Sequence, residues 1–205
     1  MVVTEALALT ARNHQVPSEA TSDEDLARRA QRGDMDAFSA LVERYQKGVV
    51  NLAYRLVGDW DTALDLSQDI FVKVYQRLHT FDTQRPFKPW LYRIATNHCY
   101  DYLRRLGRER MVISEEEIPI RTWSTDRTLD PEDQVLQSEI QHTVETLVAT
   151  LPPQYRAVLT LRYLEHLSYK EISEILGIPM GTVKTHIHRA RNILKSALTE
   201  KGILP

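Results

Sequence analysis

The chain has 205 residues, 42% of them hydrophobic and 26% charged, with a formal net charge of -2 and a pI near 6.4. That balance is ordinary for a soluble globular protein with one or two small domains, and it argues against a chain that merely coats nucleic acid. The single cysteine, Cys99, excludes an internal disulfide and fits a cytoplasmic setting, and no apolar run is long enough for membrane insertion.

Residues 1–21 show no sustained period and read as a mobile N-terminal tail. Ser22 then caps a short helix with Asp23, Glu24 and Asp25 in its first turn, ending near Gly33. Asp34 opens a second helix whose apolar stripe is Phe38, Leu41, Val42, Tyr45, Val49, Leu52, Ala53 and Leu56; Gly58 stops it. Asp61 begins a third helix with Leu64, Ile70, Phe71, Val74, Tyr75 and Leu78 inside. Its other face presents Asp65, Gln68, Asp69, Lys73 and Gln76. Composition alone leaves that face either solvated or in contact with a partner.

Phe81 to Pro89 reads as a loop with two prolines. A fourth helix follows from Trp90 to about Leu106, mixing Trp90, Tyr92, Tyr100 and Tyr102 with Arg93, Asn97, Arg104 and Arg105. Rings beside cations suit single-stranded nucleic acid, since bases stack while cations track the backbone. The same pattern also fits core aromatics beside solvated arginines. The two alternatives stand together at this point.

From 112 to 131 the helical period fails, prolines recur and Glu115 to Glu117 is acidic. This is a linker. Helices over Glu132–Thr150 and Gln154–Glu165 flank the breaker Leu151-Pro152-Pro153. Ser168 and Glu171 then form a capping box, Gly177 ends the short helix it starts, and Pro179 blocks continuation. A longer helix opens near Gly181 or Thr182 and runs to about Leu198. Val183, Ile187, Ala190, Ile193, Leu194 and Ala197 face inward, and Lys184, Thr185, His188, Arg189, Arg191 and Lys195 face outward. A short helix, tight turn and basic helix make a helix-turn-helix suited to the DNA major groove. The expected fold is therefore all-α. Two small helical domains, 22–111 and 132–205, are joined by a flexible linker, and the second contains the helix-turn-helix.

No GxGxxG, GK[ST], HExxH, CxxC or GxSxG pattern occurs. His98 and Cys99 are adjacent and diverge on a helix, as do His186 and His188. No enzyme activity, metal or cofactor is expected.

Four stretches together resemble one family: DMDAFSALVERYQKGVVNLAYRLVGD, ALDLSQDIFVKVYQRLHTFD, FKPWLYRIATNHCYDYLRR and LPPQYRAVLTLRYLEHLSYKEISEILGIPMGTVKTHIHRAR. They resemble bacterial RNA polymerase sigma factors of the extracytoplasmic-function type, and cover most of Asp34 to Ala197. The resemblance implies a sigma factor that binds core RNA polymerase and directs promoter-specific initiation. It implies docking on the clamp coiled coil of the largest subunit, with Asp65, Gln68 and Asp69 as contact candidates. It also implies capture of the -10 element as melted strand. By position, Asn97 matches a base-contacting residue, and Trp90, Tyr92, Arg93, Arg104 and Arg105 lie in or beside the matching stretch. The -35 element is read as duplex, through Thr182, Lys184, Thr185, His188 and Arg189, with Arg191 near the backbone. Pro89, His186 and His188 depart from the common family residues. An anti-sigma factor is a further implied partner. A stand-alone helix-turn-helix regulator is the competing reading, against which the helical first half argues.

Overall fold

The computed structural model describes residues 21–113 and 143–203. The first group of helices is α1 (Asp23–Gln31), α2 (Met35–Val57), α3 (Trp60–Arg77) and α4 (Phe87–Ile113), with a 3₁₀ turn at Leu78–Thr80. Ser22 caps α1 by accepting from the Asp25 N–H at 3.1 Å. Asp34 caps α2 through the Ala37 N–H at 3.0 Å, and that bond with Arg29 holds its carboxyl below the usual range. Gly58 ends α2 in the left-handed region, φ 81.

Two helix starts differ from expectation. The cap of α3 is Asp59, not Asp61: its carboxylate accepts from the Thr62 N–H at 2.9 Å, with Trp60 at the first helical position. Helix α4 starts at Phe87 and not at Trp90. Pro89 sits in its first turn, where no intrahelical acceptor exists for an N–H, so the ring costs nothing. The Phe87 N–H instead finds Glu24 Oε1 at 3.1 Å. Helix α4 also runs to Ile113, past the expected linker start at 112. The expected tail 1–21 except Thr21, the linker from 114 onward and the helix start at Glu132 lie outside the described residues.

The second group is a helical stretch over 143–150 (α5), α6 (Pro153–Leu159), α7 (Tyr169–Leu176) and α8 (Met180–Glu200). The expected helix after Pro153 is split, because Thr160–Leu164 forms a π turn. His166, at φ 55, then turns the chain back. Both arms of the capping box form: the Glu171 N–H donates to Ser168 Oγ at 3.2 Å, and the Ser168 N–H to Glu171 Oε2 at 2.7 Å. Gly177 ends α7 at φ 65, and Ser173 Oγ donates to the Ile178 carbonyl at 2.6 Å across the turn. Losing such a cap costs about 1 kcal/mol. Ser168→Ala is expected to lower the chemical-denaturation stability of the second group by about that much, measured by circular dichroism.

The two groups share a core. Leu41, Leu52, Ile70, Leu91 and Tyr92 of the first lie in one apolar cluster with Leu161, Ile172, Ile175, Val183 and Ile187 of the second. Helix α4 packs along α7, and α2 meets α6 and the π turn. Arg55, 8% exposed, faces Glu145 at 3.5 Å. Lys88 Nζ lies 3.2 Å from Glu165 Oε2 and donates to the Glu165 carbonyl at 2.8 Å. Gly48 makes this crossing possible, since a Cβ there would sit 2.2 Å from the Tyr92 hydroxyl and 3.1 Å from Glu165 Oε1. A second cluster holds Val144, Val148, Leu151, Leu159, Ala190, Leu194 and Leu198.

Candidate nucleic-acid interface

Helix α8 is divided by its 3.6-residue period. Val183, Ile187, Ala190, Leu194 and Leu198 are buried against α5, α6 and α7. Lys184, Thr185, His188, Arg189, Arg191 and Lys195 are all exposed, and Thr182 is half-buried. Lys184, Arg189 and Arg191 form no ion pair with another described residue. An exposed face of cations without ion-pair partners matches a polyanion. The Thr185 hydroxyl donates back to the Gly181 carbonyl at 2.9 Å, so its orientation is fixed. His188 Nδ1 lies 3.4 Å from Asn192 Nδ2. Ile193 departs from expectation: it is 44% exposed, because the row Ala190–Leu194–Leu198 takes the inner track. His186 turns against the Tyr155 ring (centroids 5.3 Å apart), and burial with the nearby Arg189 pushes its pKa down. It is a neutral packing residue.

Helix α4 shows a second polar face. Arg93, Asn97 and Arg104 are exposed at successive spacings of four and seven, which brings them to one side, and the exposed Arg105 flanks them. Arg104 is paired with Asp101 at 2.9 Å. Trp90 is half-buried at the rim, stacked obliquely on Phe81 (5.0 Å) and Phe87 (5.6 Å). Tyr92 is not on this face. It has 0% exposure and lies on the inner track with Leu91, Ala95, Thr96 and Cys99. Its ring meets Tyr45 edge-on at 6.5 Å, and Lys88 Nζ sits 5.7 Å from the ring centre. Burial and the facing Glu165 carboxylate raise its hydroxyl well above the usual tyrosine range. In this conformation Tyr92 is core and cannot stack a base. Burial likewise pushes the Cys99 thiol up to about 12, so it is inert.

The third face is on α3. Asp65, Gln68 and Asp69 are exposed. Leu64 and Tyr75, expected inside, are 37% and 46% exposed, and Val72 is 55% exposed. Ala63, Leu66, Ser67, Ile70 and Val74 occupy the buried track instead. The outer side of α3 therefore mixes carboxylates with exposed apolar groups. Val72 was not singled out by the sequence pattern. Its signal lies in its offset by two from the buried Ile70 and Val74.

Among the described residues no three His, Cys, Asp or Glu gather to hold a metal, and no helix is long and apolar enough to cross a membrane.

Two family models match the chain: Sigma-70 region 2 over residues 41–109, and Sigma-70 region 4 over 141–194. The first contains the α3 and α4 faces and the second contains α7 and most of α8. The ECF RNA polymerase sigma factor SigW of Bacillus subtilis is 37% identical over 177 residues, covering 84% of this chain and 95% of its own. The ECF RNA polymerase sigma-E factor of Escherichia coli K12 is 37% identical over 181 residues, covering 86% and 94%. Among solved structures, the sigma factor RpoE in complex with the anti-sigma factor NepR from Bartonella quintana superposes with a TM-score of 0.66 at 25% identity, covering 79% of this chain and 96% of that one. CnrH in complex with the cytosolic domain of CnrY gives 0.63 at 26% identity, covering 88% and 99%. Curated relatives matched along nearly their whole length, and two region models falling on the two helical groups, leave one assignment. The chain belongs to the extracytoplasmic-function RNA polymerase sigma factors of the sigma-70 family, which direct promoter-specific transcription initiation.

Proposed function

We propose that this sigma factor grips a promoter at two places with two separate helical groups, proposed as domains 22–111 and 132–205. Helix α8 reads the -35 element as duplex through Thr182, Lys184, Thr185, His188 and Arg189, with Arg191 near the backbone. Helix α4 holds the melted -10 strand through Asn97, Arg93, Arg104 and Arg105, with Trp90 at the rim. Asp65, Gln68 and Asp69 of α3 meet the clamp coiled coil of polymerase. The observation that carries the reading is the pair of exposed basic faces on α4 and α8, one in each group. The chain supplies binding energy and no catalytic group, and polymerase performs the chemistry in the cytoplasm. An anti-sigma factor is the proposed regulator, since two structural neighbours were solved with such partners or with a partner's cytosolic domain.

The shared core bears on this mechanism. The -35 and -10 elements lie roughly 25 base pairs apart, about 85 Å at 3.4 Å per step. Groups joined in one core cannot reach both. Docking on polymerase and promoter therefore separates the groups. With dyes at Gln46→Cys and Glu174→Cys, both exposed positions, energy transfer is expected to fall by more than half when core polymerase is added. Unchanged transfer in the holoenzyme would contradict the opening.

Run-off transcription with core polymerase over a promoter library tests the function itself. Specific transcripts that need this chain are expected. A library giving none would defeat the reading.

A further inference from the structure

His98 lies on α4 one residue after Asn97, and only 5% of it is exposed. Its Nδ1 is 2.6 Å from Lys73 Nζ on α3. An ammonium group donates and cannot accept, so Nδ1 is the acceptor and the ring proton sits on Nε2. Burial, then the Lys73 charge, push the imidazole below its usual pKa, with Arg105 adding to the effect and Asp69 opposing it. The ring is neutral near pH 7. Nε2 is buried and has no hydrogen-bond partner among the described residues. It faces Asp69 Oδ2 at 3.5 Å. That is about half an ångström beyond a good N–H···O bond. The Asp69 side chain is 68% exposed, and a carboxylate has acceptor sites to spare. It can therefore take the Nε2 proton donor on one side and a partner on the other.

We infer that His98 is a positioning residue: its Nε2–H, set by Lys73, orients the Asp69 carboxylate on α3 for polymerase and ties that contact to helix α4 beside Asn97. The inference rests on the reading of Asp65, Gln68 and Asp69 as the polymerase face. A small inward movement of Asp69 on docking satisfies the orphaned donor, because leaving a buried donor unmade is unfavourable. Polymerase contact at Asp69 and the rigidity of α4 then strengthen together. Among the described residues, the Lys73–His98 bond is the hydrogen bond that joins a buried side chain of α4 to α3.

The test uses the full chain and core polymerase, with dissociation constants from titration of labelled protein. Asparagine at 98 reaches the position of Nδ1 and loses the donor to Asp69. Glutamine reaches the position of Nε2 and keeps it. Asp69→Ala is expected to weaken core binding about tenfold, His98→Asn about fivefold, and His98→Gln less than about twofold. The double variant His98→Asn/Asp69→Ala should match Asp69→Ala alone. Equal losses for His98→Asn and His98→Gln, or losses that multiply in the double variant, would overturn the inference. If Asp69→Ala leaves core binding unchanged, the polymerase-face reading fails first and the inference falls with it. Long-range ¹H–¹⁵N correlation of the imidazole gives a readout that packing alone does not move. An Nε2–H tautomer is expected in wild type, and an Nδ1–H tautomer would overturn the assignment. Where His98→Asn does not fold, Lys73→Met serves instead: it leaves the ring intact and is expected to weaken core binding about threefold, and no loss would count against the inference.

Discussion

Arg189→Ala is expected to weaken binding to a -35 duplex by about 1–3 kcal/mol, roughly 5- to 150-fold. Arg189 is exposed on α8, four residues past Thr185 and on the same side of the helix, in the half that begins at Met180, where a recognition helix presents its base-reading residues. A guanidinium can make two parallel bonds to a guanine edge, which a lysine cannot reproduce. Arg189→Lys should therefore recover only part of the loss. The backbone contact assigned to Arg191 behaves differently. Arg191→Ala should weaken all sequences about equally and reduce the salt dependence of binding, because one phosphate contact has gone. Filter binding of the holoenzyme across a -35 mutant series, at two salt concentrations, separates the two. If Arg189→Ala weakens every sequence alike, its role is backbone contact.

Asn97→Ala is expected to reduce open complexes about tenfold, close to 1.4 kcal/mol, while closed-complex affinity holds within a factor of about two. Unstacking a base costs a few kcal/mol, and a side chain that meets the flipped base offsets part of that. Asn97 is exposed on α4 between Arg93 and Asp101, so its amide is free to face a strand that the arginines hold by phosphate. Fluorescence of 2-aminopurine placed in the -10 element reports the flipped state. A normal signal in Asn97→Ala would move strand capture elsewhere on α4, with Trp90 at the rim the next candidate.

Much of the fold could be read from local chemistry. Ser22, Asp34, Ser168, Gly58 and Gly177 act where their side chains or their freedom at positive φ demand. The outer face of α8 was legible for the same reason: a 3.6-residue period separates Lys184, Thr185, His188 and Arg189 from Val183, Ile187 and Ala190. Other features were not legible. The start of α4 was hidden because Pro89 reads as a loop marker until its place in the first turn is known. The place of Tyr92 stays open in the sequence because an aromatic beside arginines has the same local pattern whether it packs inward or stacks outward. Only the inner track of Ala95, Thr96 and Cys99 decides it. The shared core was invisible because contacts between α4 and α7 join residues far apart in sequence, and no periodicity encodes them. Leu64 and Tyr75 follow the same rule: an apolar residue marks a buried position only if a neighbour arrives to cover it.

The proposed division of labour has α8 setting position and α4 melting the duplex. Permanganate footprinting at saturating holoenzyme tests it most directly, since saturation removes differences in affinity. Full thymine reactivity in the -10 element is expected for Arg189→Ala and strongly reduced reactivity for Asn97→Ala. Equal reactivity in the two variants would contradict it.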